Sequence, residues 1–439
     1  MPPKNPSERE TAVAVLTEVT ENAAYANIAL RKALSARGEM DARQKAFVTE
    51  AVNTALRNLL LIDRIINTFS HTPTDKMKPF IRNLLRVSVC QIKFMERVPA
   101  HAAVNEAVRL AKARGFSRLS GFVNGVLRNM IRQPDKPEHS ARDFSYPDWL
   151  SKALTGWLGG ENARIFQENS HLPPVLTVFA NTLRITPEAL SERLRSEGVE
   201  SEPSQLNGEC LHLRHTSDIT RLASFREGLF FVIDDGAVAA AKALKPRAGQ
   251  TVFDVCAAPG GKSFVCAALM NGRGTVRAFD IHPHKLDLLN ESKKRLGFEN
   301  METALRDAEK TDEAPCFLAD GVLLDAPCSG FGIIRRRPDI KYARKPEDIP
   351  ALAQKQQNML EVASRYVKPG GVLAYCTCTV AREENIENVR RFLSHNPFTA
   401  DPPGNWAECF PHSFIEEDCL QILPGERNDA FFIARLIRQ

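Results

Sequence analysis

Asp254-Val-Cys-Ala-Ala-Pro-Gly-Gly-Lys-Ser263 runs from the end of an apolar stretch through paired glycines into the start of a helical stretch. The apolar run TVFDVCAA (251–258) suits a buried strand, and residues 262–270 carry a helical pattern. The unit recurs downstream. Strand-like runs lie at TVRAFDI (275–281), GVLLDAPC (321–328) and GGVLAYCTC (370–378), and helical runs lie near 284–296 and 348–367. A candidate third strand precedes Asp307. Apolar strands alternating with helices predict a parallel sheet covered on both faces. The expectation is an α/β Rossmann-like domain over residues 236–439. Ligands of such sheets bind outside the carboxyl ends of the strands, which is where the chemically distinctive residues of this half fall.

Working outward, residues 140–235 read as a small α+β domain. A helical stretch at 146–170 carries Trp149 and Trp157, and short β-rich runs follow at 175–180, 209–214 and 228–234. Thr186, Pro187 and Gly198 punctuate a helix between the first two as N-cap, first turn and stop. Residues 133–139, QPDKPEH, read as a linker. Before it, residues 1–135 are helical throughout. Ser7 with Glu10, and Asp41 with Gln44, have capping-box spacing, and Val48, Ala51, Val52 and Leu56 fall on one helical face. Further helices are expected near 59–69, 79–95, 102–114 and 119–131. The fold class is therefore multidomain: all-α, then small α+β, then α/β.

Size and composition agree. A chain of 439 residues exceeds one ordinary core. With 25% charged and 43% hydrophobic residues, no run is apolar enough to span a bilayer, and MPPKNPSERE lacks the core of a signal peptide. A cytoplasmic protein with no membrane association is expected, and a monomer. The ten cysteines include no C-x-x-C pair, so neither a zinc site nor a disulfide framework is expected, and no metal. The charge is uneven. Residues 1–140 hold 22 Lys and Arg against 13 Asp and Glu, while the remainder holds 36 against 40. A basic helical domain on a slightly acidic body suits either a polyanion or a plainly solvated helical surface.

Three ligands compete for the glycine loop. A nucleoside triphosphate loop ends in Gly-Lys-Ser, as Gly261-Lys262-Ser263 does, but its first glycine would fall on Cys256. A dinucleotide would want G-x-G-x-x-G, which is absent. S-adenosylmethionine needs an acid at the end of the second strand to accept both ribose hydroxyls, and Asp280 is so placed. Asp307, after the third strand, could meet the adenine edge. Asp325 ends a further strand.

Two thiols also sit at strand ends. Asp325-Ala-Pro-Cys328 closes one strand and Thr377-Cys378-Thr379 a later one. In a doubly wound sheet both face one crevice, whereas Cys376 reads as a core residue. Cytosine alkylation at C5 needs such a set. C5 attacks a methyl sulfonium only after a thiolate has added at C6. A carboxyl group near N3 stabilises the charge that develops. A free thiol has a pKa near ~8.5, so local positive potential is wanted, and Lys262 could supply it. These residues do not say which thiol attacks, and a redox pair is the competing reading. Arg335, Arg336 and Arg337, with Lys341, Arg344 and Lys345 beyond, follow the Cys328 loop as candidate phosphate contacts. Asn124 and Arg128 are either RNA contacts or helix-packing residues.

CAAPGGK (256–262), DAPCSG (325–330), IRRRPDIKY (334–342), LAQKQQNML (352–360) and YCTCTV (375–380) resemble the bacterial Sun/RsmB-type ribosomal RNA cytosine-5 methyltransferases. PAHAAVNEAV (99–108) and GFVNGVLRNM (121–130) resemble the NusB-like RNA-binding domain that begins this family. The resemblance spans nearly the whole chain. It implies Cys378 as the nucleophile, Cys328 as the residue assisting breakdown of the adduct, and Asp325 and Lys262 beside the base. It also implies a cofactor pocket of S-adenosylmethionine lined by Cys256, Ala257, Ala258, Pro259, Gly260, Gly261, Lys262, Asp280, Asp307 and Asp325. The implied substrate is a cytidine of 16S ribosomal RNA; transfer RNA or another ribosomal site, and a non-enzymatic NusB-like RNA-binding factor, are the alternatives. The sequence departs from the family pattern at 179–181, 234–237, 329–332 and 429–430.

Overall fold

The computed structural model describes residues 7–36, 40–96, 98–133, 145–214, 218–310, 318–404 and 409–439. The expected linker lies outside these apart from Gln133. The chain divides into two compact units, residues 1–151 with 334–343, and residues 152–333 with 344–439. Among the described residues no helix is long and apolar enough to cross a membrane.

The first unit is helical: α1 (Glu8–Asn22), α2 (Ala26–Ser35), α3 (Ala42–Arg57), α4 (Leu59–Phe69), α5 (Pro79–Phe94), α6 (Ala100–Ala113) and α7 (Ser120–Arg132). Ser7 caps α1 by accepting the Glu10 N–H. The Glu10 carboxylate turns to Arg114 instead of closing the box. Asp41 and Gln44 complete theirs on α3. Val48, Ala51, Val52, Ala55 and Leu56 form one fully buried stripe of α3, each larger side chain contributing about 1.5–3 kcal/mol of burial.

The second unit holds two sheets. Its elements begin with α8 (Asp148–Leu158), which crosses the division, and α9 (Gly160–His171), followed by β1 (Leu176–Ala180), α10 (Pro187–Ser196), β2 (Glu200–Pro203), β3 (Cys210–Arg214), α11 (Ala223–Arg226) and β4 (Phe230–Val232). The four strands form an antiparallel sheet in the order β2-β3-β1-β4. Thr186 caps α10, Pro187 opens it, and Gly198 follows its C-cap at a φ of +80°. Phe179 and Phe231 stack at 5.2 Å, and Phe231 meets Phe264 of the larger sheet's covering helices at 5.5 Å. Buried Asn181 donates to the Gly228 and Leu296 carbonyls, both at 2.9 Å. The middle domain therefore shares a core with the α/β domain. The unusual Phe179 is part of that core.

The larger sheet follows α12 (Asp235–Ala243): β5 (Thr251–Asp254), α13 (Gly261–Leu269), β6 (Thr275–Asp280), α14 (Pro283–Leu296), β7 (Met301–Leu305) and β8 (Ala319–Asp325). After α15 (Ile340–Ala343), which belongs to the first unit, come α16 (Asp348–Ser364), β9 (Val367–Thr377), α17 (Ile386–Leu393), β10 (Phe398–Ala400), β11 (Ser413–Glu416), β12 (Cys419–Ile422) and β13 (Phe431–Arg438). The strand order is β11-β12-β13-β9-β8-β5-β6-β7, with β10 beside β13. From β7 to β9 all pairings are parallel; β13 returns antiparallel on β9. The chain runs β5, β6, β7 one way and then crosses to place β8 on the other side of β5. That reversal opens the crevice between β5 and β8, where a ligand is expected.

Residues 334–343 pack in the helical unit, and this corrects the reading of the arginine run. Arg335 is only 2% exposed, so its guanidinium is not presented to a polyanion. Arg337 lies over the Tyr25 ring and donates to Asn27, and Asp339 accepts the Ala26 N–H. Lys341 is 1% exposed and donates to the carbonyls of Arg57 and Ser145 at 2.9 and 2.8 Å. Those carbonyls and the Tyr146 ring at 4.7 Å favour its ammonium form. Burial, with Arg57 adding, opposes it and pulls the lysine down to about 7. An unfolded chain keeps that proton to about pH 10.4. Between the two values the unfolded chain binds more protons, so folding strengthens as pH rises. The stability advantage of the native protein over Lys341→Met is expected to grow by roughly 1 kcal/mol per pH unit between about pH 7 and 10 in urea unfolding. A pH-independent difference would contradict the burial argument.

Candidate active site

Parallel pairing of β8 with β9 sets the site. Asp325 sits opposite Cys376 in register, so the three residues after the first and the two after the second leave the sheet side by side. The sulfurs of Cys328 and Cys378 end 3.3 Å apart, both partly exposed. The loops carrying them are braced against each other. Gly332 donates its N–H to the Cys378 carbonyl at 2.9 Å and accepts from Ala430 at 3.1 Å. The hydroxyls of Ser329 and Thr379 meet at 2.7 Å. A Cβ on Gly332 would fall on the backbone oxygens of Ala430 and Cys378. Two stretches where the sequence departs from the family pattern, 329–332 and 429–430, thus meet each other here.

Lys262 and Asp325 form an ion pair at 2.6 Å beside these thiols. Burial works against the Lys262 charge, but Asp325 outweighs it and holds the ammonium above the usual lysine range, with Cys376 and Cys378 adding to the effect. Cys376 is fully buried and directs its sulfur to the Leu324 carbonyl and Asp325 at 3.7 and 3.6 Å, as expected of a core residue. The two thiols that face each other are not equivalent. The hydrogen bond to Cys378, and then burial, push the Cys328 thiol well above the ordinary range. Cys328 therefore holds its proton through the ordinary thiol range.

The glycine loop is shaped by its neighbours. Gly260 has a φ of +109°, and a Cβ there would meet the Phe264 ring at 2.6 Å; glycine alone satisfies both constraints. Ser263 donates to Asp254 at 2.6 Å, tying the first turn of α13 to the end of β5. Burial pushes the Asp254 carboxyl up to about 7 in spite of that bond. Asp280 accepts the Ala258 N–H at 3.3 Å and the His282 N–H at 2.9 Å, one on each oxygen. Each oxygen keeps a lone pair, which fits the paired hydroxyls of a ribose. Asp307 lies two residues beyond β7 and accepts the Glu309 N–H at 3.0 Å. Cys256 packs partly against the core, where burial raises its thiol.

The structure thus groups Lys262, Asp325, Cys328 and Cys378 at one sheet edge, and brings Asp280 onto the glycine loop. Asn124 and Arg128 lie elsewhere, bonded to each other at 2.8 Å along α7 in the helical unit. The bracing roles of Glu384, Gln356 and Gly332 carry no signal in the sequence, and Arg344, expected as a phosphate contact, donates instead to the Ser329 and Cys328 carbonyls. Glu384 and Gln356 are fully buried and polar, and only a buried polar residue's partners reveal its role. Gly332→Ala is expected to force the two cysteine loops apart. The methyl transfer that the family resemblance implies should fall roughly tenfold or more in a single turnover, about 1.4 kcal/mol in barrier, with affinity for the implied cofactor by calorimetry nearly unchanged. Unaltered turnover would show that the thiol spacing does not matter.

The chain is similar to known proteins over nearly its whole length. Residues 241–437 match the family described as 16S rRNA methyltransferase RsmB/F. Residues 6–132 match the NusB family and 146–220 the ferredoxin-like domain of RsmF/B-like methyltransferases. The Bacillus subtilis protein named "Probable ribosomal RNA small subunit methyltransferase B" is 35% identical, with 99% of each chain covered. The Vibrio vulnificus ribosomal RNA small subunit methyltransferase B is 32% identical over 98% of this chain and 99% of that one. The crystal structure of PH0851 aligns over the whole of both chains at 25% identity with a TM-score of 0.79. With full-length relatives above 30% identity, this chain belongs to the ribosomal RNA small subunit methyltransferase B family.

Proposed function

We propose that this chain transfers a methyl group from S-adenosylmethionine to C5 of a cytosine in 16S ribosomal RNA, with Cys378 as the attacking thiolate and Cys328 serving release. Membership of a methyltransferase family removes the non-enzymatic reading. The observation that carries the proposal is the 3.3 Å approach of two unequal thiols beside the Lys262–Asp325 pair. The cofactor is S-adenosylmethionine, which supplies a methyl group on a positively charged sulfur. Residues 256–262, Asp280 and Asp307 would hold it, with Asp325 between it and the base.

The chemistry follows from the unequal thiols. Cys378 adds to C6 of the cytosine, and the electrons of the C5=C6 bond make C5 nucleophilic. Asp325, held in place by Lys262, accepts a hydrogen bond from the cytosine amino group, and the Lys262 ammonium offsets the negative charge developing toward N3. A Cys328 thiol donating to Cys378 leaves the pair one negative charge, on the attacking sulfur. Once Cys378 is bonded to C6, its sulfur is neutral, and the largest influence holding the proton on Cys328 is gone. Cys328 then loses its proton to solvent and takes the C5 proton of the methylated ring. The C5–H electrons re-form C5=C6, and the C6–S bond breaks with its pair returning to Cys378. A sulfur 3.3 Å from the attacking one is well placed for a proton on the adjacent carbon. The target base must be turned out of any helix to expose C5 and C6. The basic helical domain, with Arg336, Arg337, Asn124 and Arg128, supplies phosphate contacts; Arg335 is withdrawn from that role by its burial.

Cys378→Ala is expected to abolish methylation. Cys328→Ala is expected to methylate once and remain bound to RNA, seen as a denaturation-resistant shifted band. Accumulation in Cys378→Ala instead would reverse the two roles. Bisulfite mapping of RNA with and without the gene should show one cytidine of 16S ribosomal RNA losing its mark; loss from transfer RNA or another ribosomal site would replace the proposed substrate.

A further inference from the structure

Glu384 lies just after the Cys378 loop, is fully buried, and takes no part in the chemistry above. One of its oxygens accepts the Ser329 N–H at 2.9 Å and the Gln356 amide at 2.8 Å. Gln356 also donates to the Pro327 carbonyl at 3.0 Å. Arg344 donates to the carbonyls of Ser329 and Cys328 at 3.1 and 3.3 Å. The peptide groups on both sides of Cys328 are thus tied down, and the Glu384 carboxylate takes the N–H of the next residue. Its other oxygen is buried without a hydrogen-bond partner among the described residues. A buried, half-satisfied carboxylate is costly, more than a neutral brace at this point would require.

We propose that Glu384 is a positioning residue for release: it fixes the Cys328 turn through the Ser329 N–H, and its carboxylate acts on the thiol that this turn carries. The inference rests on the release role given to Cys328 above. The charged and titratable groups facing Cys328 among the described residues are Cys378 from the end of β9, Tyr375 within β9, Glu384, Asp325 from β8 and the Arg344 guanidinium. Cys378, Glu384 and Asp325 each favour the protonated form of Cys328, in that order after burial is counted. When Cys378 becomes a thioether, Glu384 is the leading charge left on Cys328, so it sets how readily the base forms. Burial holds the Glu384 carboxyl above the usual range, against the bonds from Ser329 and Gln356 and the pull of Arg344. Glutamine at this position keeps an oxygen for Ser329 and Gln356 and removes the charge. Alanine removes both.

The test compares the native protein, Cys328→Ala, Glu384→Ala and Glu384→Gln on a full-length 16S ribosomal RNA transcript, following trapped adduct and its release against pH. Cys328→Ala reports on the underlying reading; without adduct there, the release role of Cys328 falls and this inference with it. Given adduct there, Glu384→Ala should trap several times more RNA than the native protein. An equal slowing of adduct formation and release, with a lowered melting temperature, would mean a purely structural brace. Should Glu384→Ala fail to fold, Glu384→Gln decides. Its release should have a midpoint lowered by about half a pH unit or more, roughly threefold in proton concentration. A release profile matching that of the native protein would overturn the proposal even with Cys328→Ala trapped.

Discussion

The site depends on one register. Asp325 of β8 lies opposite Cys376 of β9 in a parallel pair, and a slip of one residue would send every side chain of one strand to the opposite face. From that pairing follow the acid beside Lys262, the core position of Cys376 and the meeting of Cys328 with Cys378. Antiparallel β13 covers the outer edge of β9 and leads in from Ala430, which holds Gly332 against the Cys378 backbone. The active-site spacing is therefore fixed by backbone hydrogen bonds within the sheet and by loop contacts where a Cβ has no room.

Electrostatics then distinguishes the two thiols. The site contains one ion pair, Lys262–Asp325, and a buried carboxylate, Glu384, so negative charge is already present. That charge, with burial and the hydrogen bond to Cys378, disfavours a thiolate on Cys328. Glu384 and Asp325 face Cys328, while the Lys262 charge is supported by Asp325 first and then by Cys376 and Cys378. The proposed division of roles, with Cys378 attacking and Cys328 waiting, draws on neighbours from three different elements.

Much of this was legible in the chain. The strand–glycine–helix stretch at 254–263 fixed the nature of the larger sheet, and strand-end positions picked out Asp280, Asp325, Cys328 and Cys378. The caps at Ser7, Asp41 and Thr186 followed from local hydrogen bonding, which sequence spacing encodes directly. The polar strand β2, with sequence ESEP, shows no apolar alternation because it lies at a sheet edge. The arginine run was misread at Arg335 because charge in sequence says nothing about which unit a segment packs into. Glu384 and Gln356 were invisible for a related reason. A buried polar residue looks like a surface one until its partners are known.

The order in which the two thiols act can be read from a covalent bond. RNA trapped by the Cys328→Ala protein would be digested to nucleotides, the protein cleaved, and the modified peptide sequenced by mass spectrometry. A methylated cytidine nucleotide attached at Cys378 is expected. Attachment at any other residue, or an adduct carrying no methyl group, would contradict it.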